Sequence, residues 1–208
     1  MISLSWPGLT GISVAGFFFY HFYTLIRIGK NPIFREISPN DIPSVHNSYI
    51  DSCSKEFKAL GFSLVTAYSD VKAHDSGIEN YAAVLVDASG EVVLEVISAR
   101  IHSLGFRIFF HLIRMPLQYC SMISCFDDRK VLNSSAIAFA SANTRRLTNH
   151  RLSKSMTADQ RYQSHRVKLE KMKKKQGSNL ITIRTNSQAM EAVRALHDAQ
   201  TKGACGGY

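Results

Sequence analysis

The stretch YAAVLVDASGEVVLEV, residues 81–96, reads as two strands and the turn between them. Tyr81–Val86 is a short apolar run. Asp87-Ala88-Ser89-Gly90 then supplies a polar loop with glycine at its end, where left-handed backbone is cheapest. On the return, Val92, Leu94 and Val96 fall on one face and Glu91 and Glu95 on the other. That alternation predicts a half-buried antiparallel sheet.

Upstream, Phe62–Tyr68 predicts another strand, and before it Ile42, Val45, Tyr49, Cys53, Phe57 and Leu60 recur at spacings of three and four, the apolar face of one helix. Asp41 or Ser44 is its expected cap. Gly61 ends it in a left-handed conformation, which brings Phe62 back onto Phe57. Downstream, Phe106, Ile108, Phe110 and Leu112 alternate and predict a strand that carries His111. Tyr119–Phe126 turns at Asp127-Asp128-Arg129-Lys130 into Val131–Ala140.

After a polar, basic stretch at 141–156, Thr157-Ala158-Asp159-Gln160 offers a capping box for a helix lasting to about Lys175. A brief strand, Leu180–Thr185, leads to a last helix from Ser187 to Lys202. Ala189, Val193, Leu196 and Ala199 lie on its buried side, and Gly203 ends it. The expected class is α+β: a helix, a curved antiparallel meander of about five strands, and two C-terminal helices, with no βαβ rhythm.

The N-terminal run AGFFFYHFYTLIRIGKNP, residues 15–32, bears on location. From Met1 to Ile26 there is no Lys, Arg, Asp or Glu. Trp6–Tyr23 would cover about 27 Å as a helix, close to the roughly 30 Å of a bilayer's hydrocarbon. Trp6 at one end and Tyr20 and Tyr23 at the other suit the two interfaces, and Arg27, Lys30 and Arg35 give a positive cytoplasmic flank. No charged opening or small-residue cleavage site marks a secretory signal.

The expectation is therefore a transmembrane anchor at 1–30 and a linker at 31–42. A cytoplasmic domain at 43–202 and a flexible tail at 203–208 would follow. Ser5, Gly8, Gly11 and Ala15 form a small-residue stripe that would admit a second transmembrane helix.

Charge is concentrated. The chain of 208 residues carries +9, and residues 145–175 hold eleven Lys or Arg against Asp159 and Glu170, so the rest is balanced. On the predicted late helix Arg161, Lys168, Lys171 and Lys175 line one side, with Lys173 and Lys174 beside them and Glu170 four residues before Lys174. Such a surplus favours an anionic partner. For a tethered cytoplasmic domain that partner is anionic lipid of the inner leaflet. Nucleic acid is the rival, but Tyr162 is the one aromatic in the segment and no known nucleic-acid motif accompanies it.

No phosphate loop, dinucleotide fingerprint, nucleophile elbow or HExxH occurs in the sequence. Cys53, Cys120, Cys125 and Cys205 form no CxxC pair. Cys120 and Cys125, five apart on one strand, would face opposite ways, so buried reduced thiols are expected and neither a metal nor a cofactor. Scattered candidates remain: Asp70, His74 and Asp75 in a loop, His111, and His165. His165 shares a helix face with Tyr162, Leu169 and Met172, where a hydrogen-bonded packing role fits it best.

Phe57-x-x-Leu60-Gly61-Phe62, Tyr81-x-x-Val84-Leu85-Val86-Asp87-x-x-Gly90, Phe126-Asp127-Asp128-x-x-Val131-Leu132-Asn133 and His165-x-x-x-Leu169 resemble a pattern in bacterial proteins of unknown function, over about residues 35–172. The resemblance implies a shared fold and no activity, and it transfers no catalytic residue. Where that pattern has glycine after the acidic turn residue, this chain has Asp128-Arg129. The functional expectation is a binding or interaction module near the inner leaflet, the alternatives being a hydrolase with its site in the sheet concavity and a nucleic-acid-binding protein.

Overall fold

Leu85 pairs with Leu94 and Val86 with Val93, so residues 81–96 form the central hairpin of the sheet, between β3 (Ile78–Val86) and β4 (Val93–Ile101). The computed structural model describes residues 14–24, 32–137 and 143–205. Asp87 organises the loop. Its Oδ1 accepts from the backbone N–H groups of Glu91 and Val92 at 2.9 and 3.0 Å, and its Oδ2 accepts from Ser89 at 2.7 Å. Gly90 closes the loop at φ +71°, and a Cβ there would stand 2.7 Å from the carbonyl oxygen of Ile183.

The described strands form one seven-stranded sheet in the order β1 to β7. β1 is Phe34–Ile37, β2 Ser63–Asp70, β5 Gln118–Cys125, β6 Val131–Ser135 and β7 Leu147–Arg151. All neighbours are antiparallel except β6 and β7, which run parallel. The helices are α1 (residues 14–24), α2 (Ser44–Lys58), α3 (Val71–Asp75), α4 (Leu104–Leu112), α5 (Ala158–Gln176) and α6 (Asn186–Cys205).

The α+β class holds, but the meander of about five strands is corrected to a mixed sheet of seven. β1 and β7 are edge strands whose charged or polar residues hide a strand's alternation: only Leu147 of β7 is buried, and Phe34–Ile37 lies inside the expected linker. The run Phe106–Leu112 is helical. Its apolar residues satisfy both periods, and packing selects Phe106, Phe109 and Phe110 as the buried face while Ile108 and Leu112 stay exposed. Of the expected strand at 180–185 a single bridge remains, Leu180 to Phe126, and α6 continues past Gly203.

Both faces of the sheet are covered. α2 and α5 bury Ala83, Leu85, Leu94, Val96, Cys120 and Met122, and α6 buries Val84, Val93, Ile97, Ile123 and Cys125 on the other side. Each Val, Leu, Ile or Met among them contributes about 1.5–3 kcal/mol on burial. Cys120 and Cys125 therefore face opposite ways, as their spacing requires. Glu95 does not face water: it lies beneath α6 at 1% exposure, where its Oε1 accepts from the Tyr68 hydroxyl.

Two of the local signals at helix ends hold, whereas the expected Asp41 or Ser44 cap of α2 does not: Pro43 stands at its N-cap and makes no side-chain cap bond. Gly61 takes φ +91°, Phe62 N–H donates to the Phe57 carbonyl at 3.2 Å, and the two rings meet edge to face at 5.4 Å. Thr157 and Gln160 form the reciprocal capping box of α5.

Among the described residues no helix is long and apolar enough to cross a membrane. This corrects the transmembrane anchor, the single-pass membrane assignment and the location at the inner leaflet derived from it. The described part of α1 covers about 16 Å, half of a bilayer's hydrocarbon. One of its sides is already occupied. Phe18 packs on Phe109 at 5.8 Å, and His21 lies against Phe106 and Phe109 at 4.8 and 5.6 Å. Gly105 makes room, since a Cβ there would sit 2.6 Å from His21 Nε2. Tyr20 and Tyr23, expected at a lipid interface, are exposed on the opposite side. Trp6, Arg27, Lys30 and the tail at 206–208 lie outside the described residues.

Candidate functional site

The polar residues that converge lie where β3 begins and β4 ends. Asp70 caps α3 by accepting from Lys72 N–H and Ala73 N–H at 3.0 and 3.4 Å, and this single turn presents His74. Gly77, at φ +77°, turns the chain into β3, and His102 N–H donates to the Gly77 carbonyl at 3.0 Å, zipping the end of the hairpin. The register then sets Glu79 opposite Arg100 and Tyr81 opposite Ser98. His46, in the first turn of α2, comes down onto this end of the sheet.

Three imidazoles surround Glu79. His102 Nε2–H donates to Glu79 Oε2 at 2.9 Å; His46 Nε2 lies 3.7 Å from the same oxygen, and His74 Nε2 3.9 Å from Oε1. His46 also contacts Ser98 Oγ through Nδ1 at 3.1 Å, and its buried Nε2 has no hydrogen-bond partner. Burial lowers the pKa of His46, against the pull of Glu79. For Glu79 burial acts upward, but the His102 hydrogen bond and the His46 and His102 charges outweigh it and hold the carboxyl below its ordinary range. Among the described residues no group of three or more His, Cys, Asp or Glu is arranged to hold a metal ion.

His102 also lines the adjoining cleft, a cavity of about 830 Å³ between the end of β4 and α4. Arg100, Arg107, Arg114, His102 and His111 supply its polar lining, and Ile101, Phe110, Met115 and Leu117 its apolar part. No carboxylate lines it among the described residues. Arg114 stands just past the end of α4 at φ +52°, a conformation that costs a non-glycine residue about 1–2 kcal/mol. The chain keeps an arginine at a helix end where glycine is the cheaper residue.

The basic segment is divided by the fold. Arg161 turns inward, donating to Cys120 Sγ at 3.4 Å and to the Lys154 carbonyl at 3.1 Å. Lys173 is held by Glu91 and Glu170 at 3.0 and 2.9 Å, and Arg166 also pairs with Glu91, so Glu170 meets Lys173 and Arg166 rather than Lys174. Lys171, Lys174 and Lys175 are exposed on α5 and Lys168 is half-buried, away from the cleft's lining. His165 packs at 0% exposure between Ser124 and Ser134, 3.0 and 2.7 Å from its two nitrogens, and burial lowers its pKa to about 3. Asp75 takes no part in the group around Glu79.

Glu79, His46, His102, Arg100, Arg107 and Arg114 escaped sequence reasoning because they come from four elements and match no linear motif. The one available signal was their density. Residues 100–114 hold three arginines and two histidines and no acid. Comparison with family models, with curated proteins and with solved structures finds no match to this chain.

Proposed function

We propose that the chain is a binding module for a small anionic molecule, a phosphate- or carboxylate-bearing compound with an apolar part, taken up in the cleft between β4 and α4. The carrying observation is the lining: three guanidiniums and two imidazoles with an apolar wall and no competing carboxylate among the described residues. Guanidinium groups bind such oxyanions through paired N–H donors, at about 1.5–3 kcal/mol per charge-assisted bond. The basic α5 segment supports this reading less, because its exposed lysines stand away from the cleft's lining and its Arg166 and Lys173 are paired with Glu91 and Glu170.

Calorimetric titration of the full chain with inorganic phosphate, and with a nucleoside monophosphate for the apolar wall, tests it. Saturable binding is expected, stronger for the nucleotide and weakened by salt. Arg107→Gln is expected to reduce affinity about tenfold or more. Absence of saturable binding, or affinity indifferent to Arg100→Gln and Arg107→Gln together, would overturn it.

A hydrolytic use of the same cleft is favoured by one feature. His102 lines the cleft while its Nε2 is held by Glu79, the arrangement by which a carboxylate orients an imidazole for proton transfer. Turnover of a phosphate or carboxylate ester that is lost in His102→Asn would support that use.

A further inference from the structure

Where α6 passes the ends of β5, β6 and β7, it meets the sheet with small residues. Ala192 and Ala199 are buried and Ala195 is half-buried, and their methyl groups leave space beneath the helix unfilled. The result is a cavity of about 560 Å³, within the roughly 300–1,000 Å³ of small-molecule sites. Cys125, Phe126, Val131 and Ile183 complete its buried floor. Backbone hydrogen bonds fix the walls: Ile181 N–H donates to the Cys125 carbonyl at 2.9 Å, Ile183 N–H to the Gly90 carbonyl at 2.8 Å, and Val131 N–H to the Arg146 carbonyl at 2.8 Å. The cavity shares no lining residue with the cleft between β4 and α4.

Charge is sorted by element around this opening. The β5–β6 turn and the segment before β7 bring Arg129, Arg145 and Arg146, and α6 brings Glu191 and Asp198, all of them exposed. Lys130 also lines the cavity but is paired with Asp128, and Asp127 accepts from Asn179 Nδ2 at 3.2 Å. Among the described residues no ion pair includes Arg129, Arg145, Arg146 or Glu191. Arg129 is held on the rim at φ +64°, a conformation that costs a non-glycine residue about 1–2 kcal/mol.

We propose that this cavity binds a small amphoteric molecule, an apolar body carrying both an ammonium and a carboxylate group, as in a free aromatic amino acid or a short apolar peptide. Arginines alone would select anions; the carboxylates of α6 add a demand for positive charge on the same molecule. The ligand's carboxylate takes paired N–H donors from the guanidiniums, and its ammonium donates to Glu191. Its apolar body lies along the alanines and over Phe126 and Val131, which a small hydrophilic zwitterion could not use.

The test is titration of the full chain with leucyl-phenylalanine and with phenylalanine, followed by calorimetry and by backbone amide NMR shifts. Saturable binding is expected, with the shifts at residues 125–131, 144–146 and 188–199. Tighter binding of the dipeptide assigns the site to peptides, and equal or tighter binding of phenylalanine assigns it to free amino acids. N-acetylation and C-terminal amidation of the tighter ligand are each expected to weaken binding about tenfold or more. Glu191→Gln is expected to weaken the parent ligand and spare the acetylated one. Arg129→Gly with Arg145→Gln is expected to weaken the parent and spare the amide, the glycine relieving the left-handed strain. Ala195→Leu fills the trough and is expected to abolish binding at an unchanged urea midpoint. The proposal is overturned if neither ligand binds the natural chain saturably, if the shifts fall on residues 100–117, or if both blocked forms bind as tightly as their parent. These three outcomes are read on the unaltered protein, so a variant that fails to fold does not rescue it. Phosphate binding in the cleft between β4 and α4 reports on a separate set of amides, so either site can fail without the other.

Discussion

His102 Nε2 donates to Glu79 Oε2 at 2.9 Å, and this bond joins two different electrostatic environments. On one side lies a carboxylate with imidazoles around it; on the other, a cleft whose polar lining is cationic. The charge of Glu79 opposes anions in that cleft even though it does not line it. Glu79→Gln is therefore expected to tighten phosphate binding a few-fold at low salt while abolishing any ester turnover. Titration and a rate assay on the same preparation separate the two. Weaker binding in Glu79→Gln would mean that the carboxylate serves to hold the cleft open.

His165 predicts an acid-sensitive core. Its folded pKa, lowered by burial to about 3, lies below the value near 6.5 of the unfolded chain. Between those values the unfolded state binds the extra proton, so stability is full above about pH 6.5 and falls as the pH drops toward 3. The slope approaches about 1.4 kcal/mol per pH unit for one such group. His46 and His150, also lowered by burial, act in the same direction. Urea unfolding between pH 7 and 4 is expected to show this loss, and His165→Gln, less stable at pH 7, is expected to show a flatter profile. An unchanged slope in that variant would place the acid sensitivity elsewhere.

Three left-handed glycines separate backbone strain from steric conflict. At Gly177 a Cβ meets nothing within 4 Å, and at Gly61 it meets only the Ala88 methyl at 3.9 Å, so Gly→Ala there carries the conformational cost alone, about 1–2 kcal/mol. At Gly90 the same Cβ would stand 2.7 Å from the Ile183 carbonyl, which is fixed because the Ile183 N–H donates to the Gly90 carbonyl at 2.8 Å. Gly90→Ala is expected to cost clearly more than the other two, measured by the urea midpoint. Equal costs would show that the 182–183 segment yields freely.

The same contrast explains what the sequence disclosed. The 81–96 hairpin, the Gly61 stop and the Thr157 capping box depend on residues a few positions apart, and each was legible because turn chemistry is local. Phe106–Leu112 was misread because its apolar residues satisfy both periods until α1 and the sheet end choose a face. β7 was missed because its partner is a parallel strand and its residues are polar. The first thirty residues misled for a related reason. Composition cannot tell a bilayer from a neighbouring helix as the destination of Phe18, and the feature that decides it, Gly105 opposite His21, lies 84 residues away in sequence. The cleft arginines form only a basic cluster in the sequence, since their common destination depends on where α4 ends.

Gly105 is accordingly the position at which to test how α1 is held. Gly105→Ala drives a methyl onto the His21 ring, and the ring cannot retreat without leaving Phe106 and Phe109. The expected outcome is faster hydrogen exchange across residues 14–24 with little change in the urea midpoint of the rest, because the two main cores do not include α1. Slow exchange retained in the variant would count against the packing of His21 on α4.

Arg114 carries the sharpest separation between stability and binding. Its φ of +52° favours glycine, yet it lines the cleft with Arg100 and Arg107. If the residue were there for the fold, removing its side chain would destabilise the end of α4. If it is there for an anion, the strain is held in place by the surrounding structure and relieved by glycine. Arg114→Gly is expected to raise stability by up to about 1 kcal/mol by chemical unfolding, after the larger flexibility of the unfolded glycine chain is set against the relieved strain. Phosphate affinity is expected to fall about tenfold in the same protein. A variant that lost stability and kept its affinity would remove Arg114 from the site and weaken the case for the cleft.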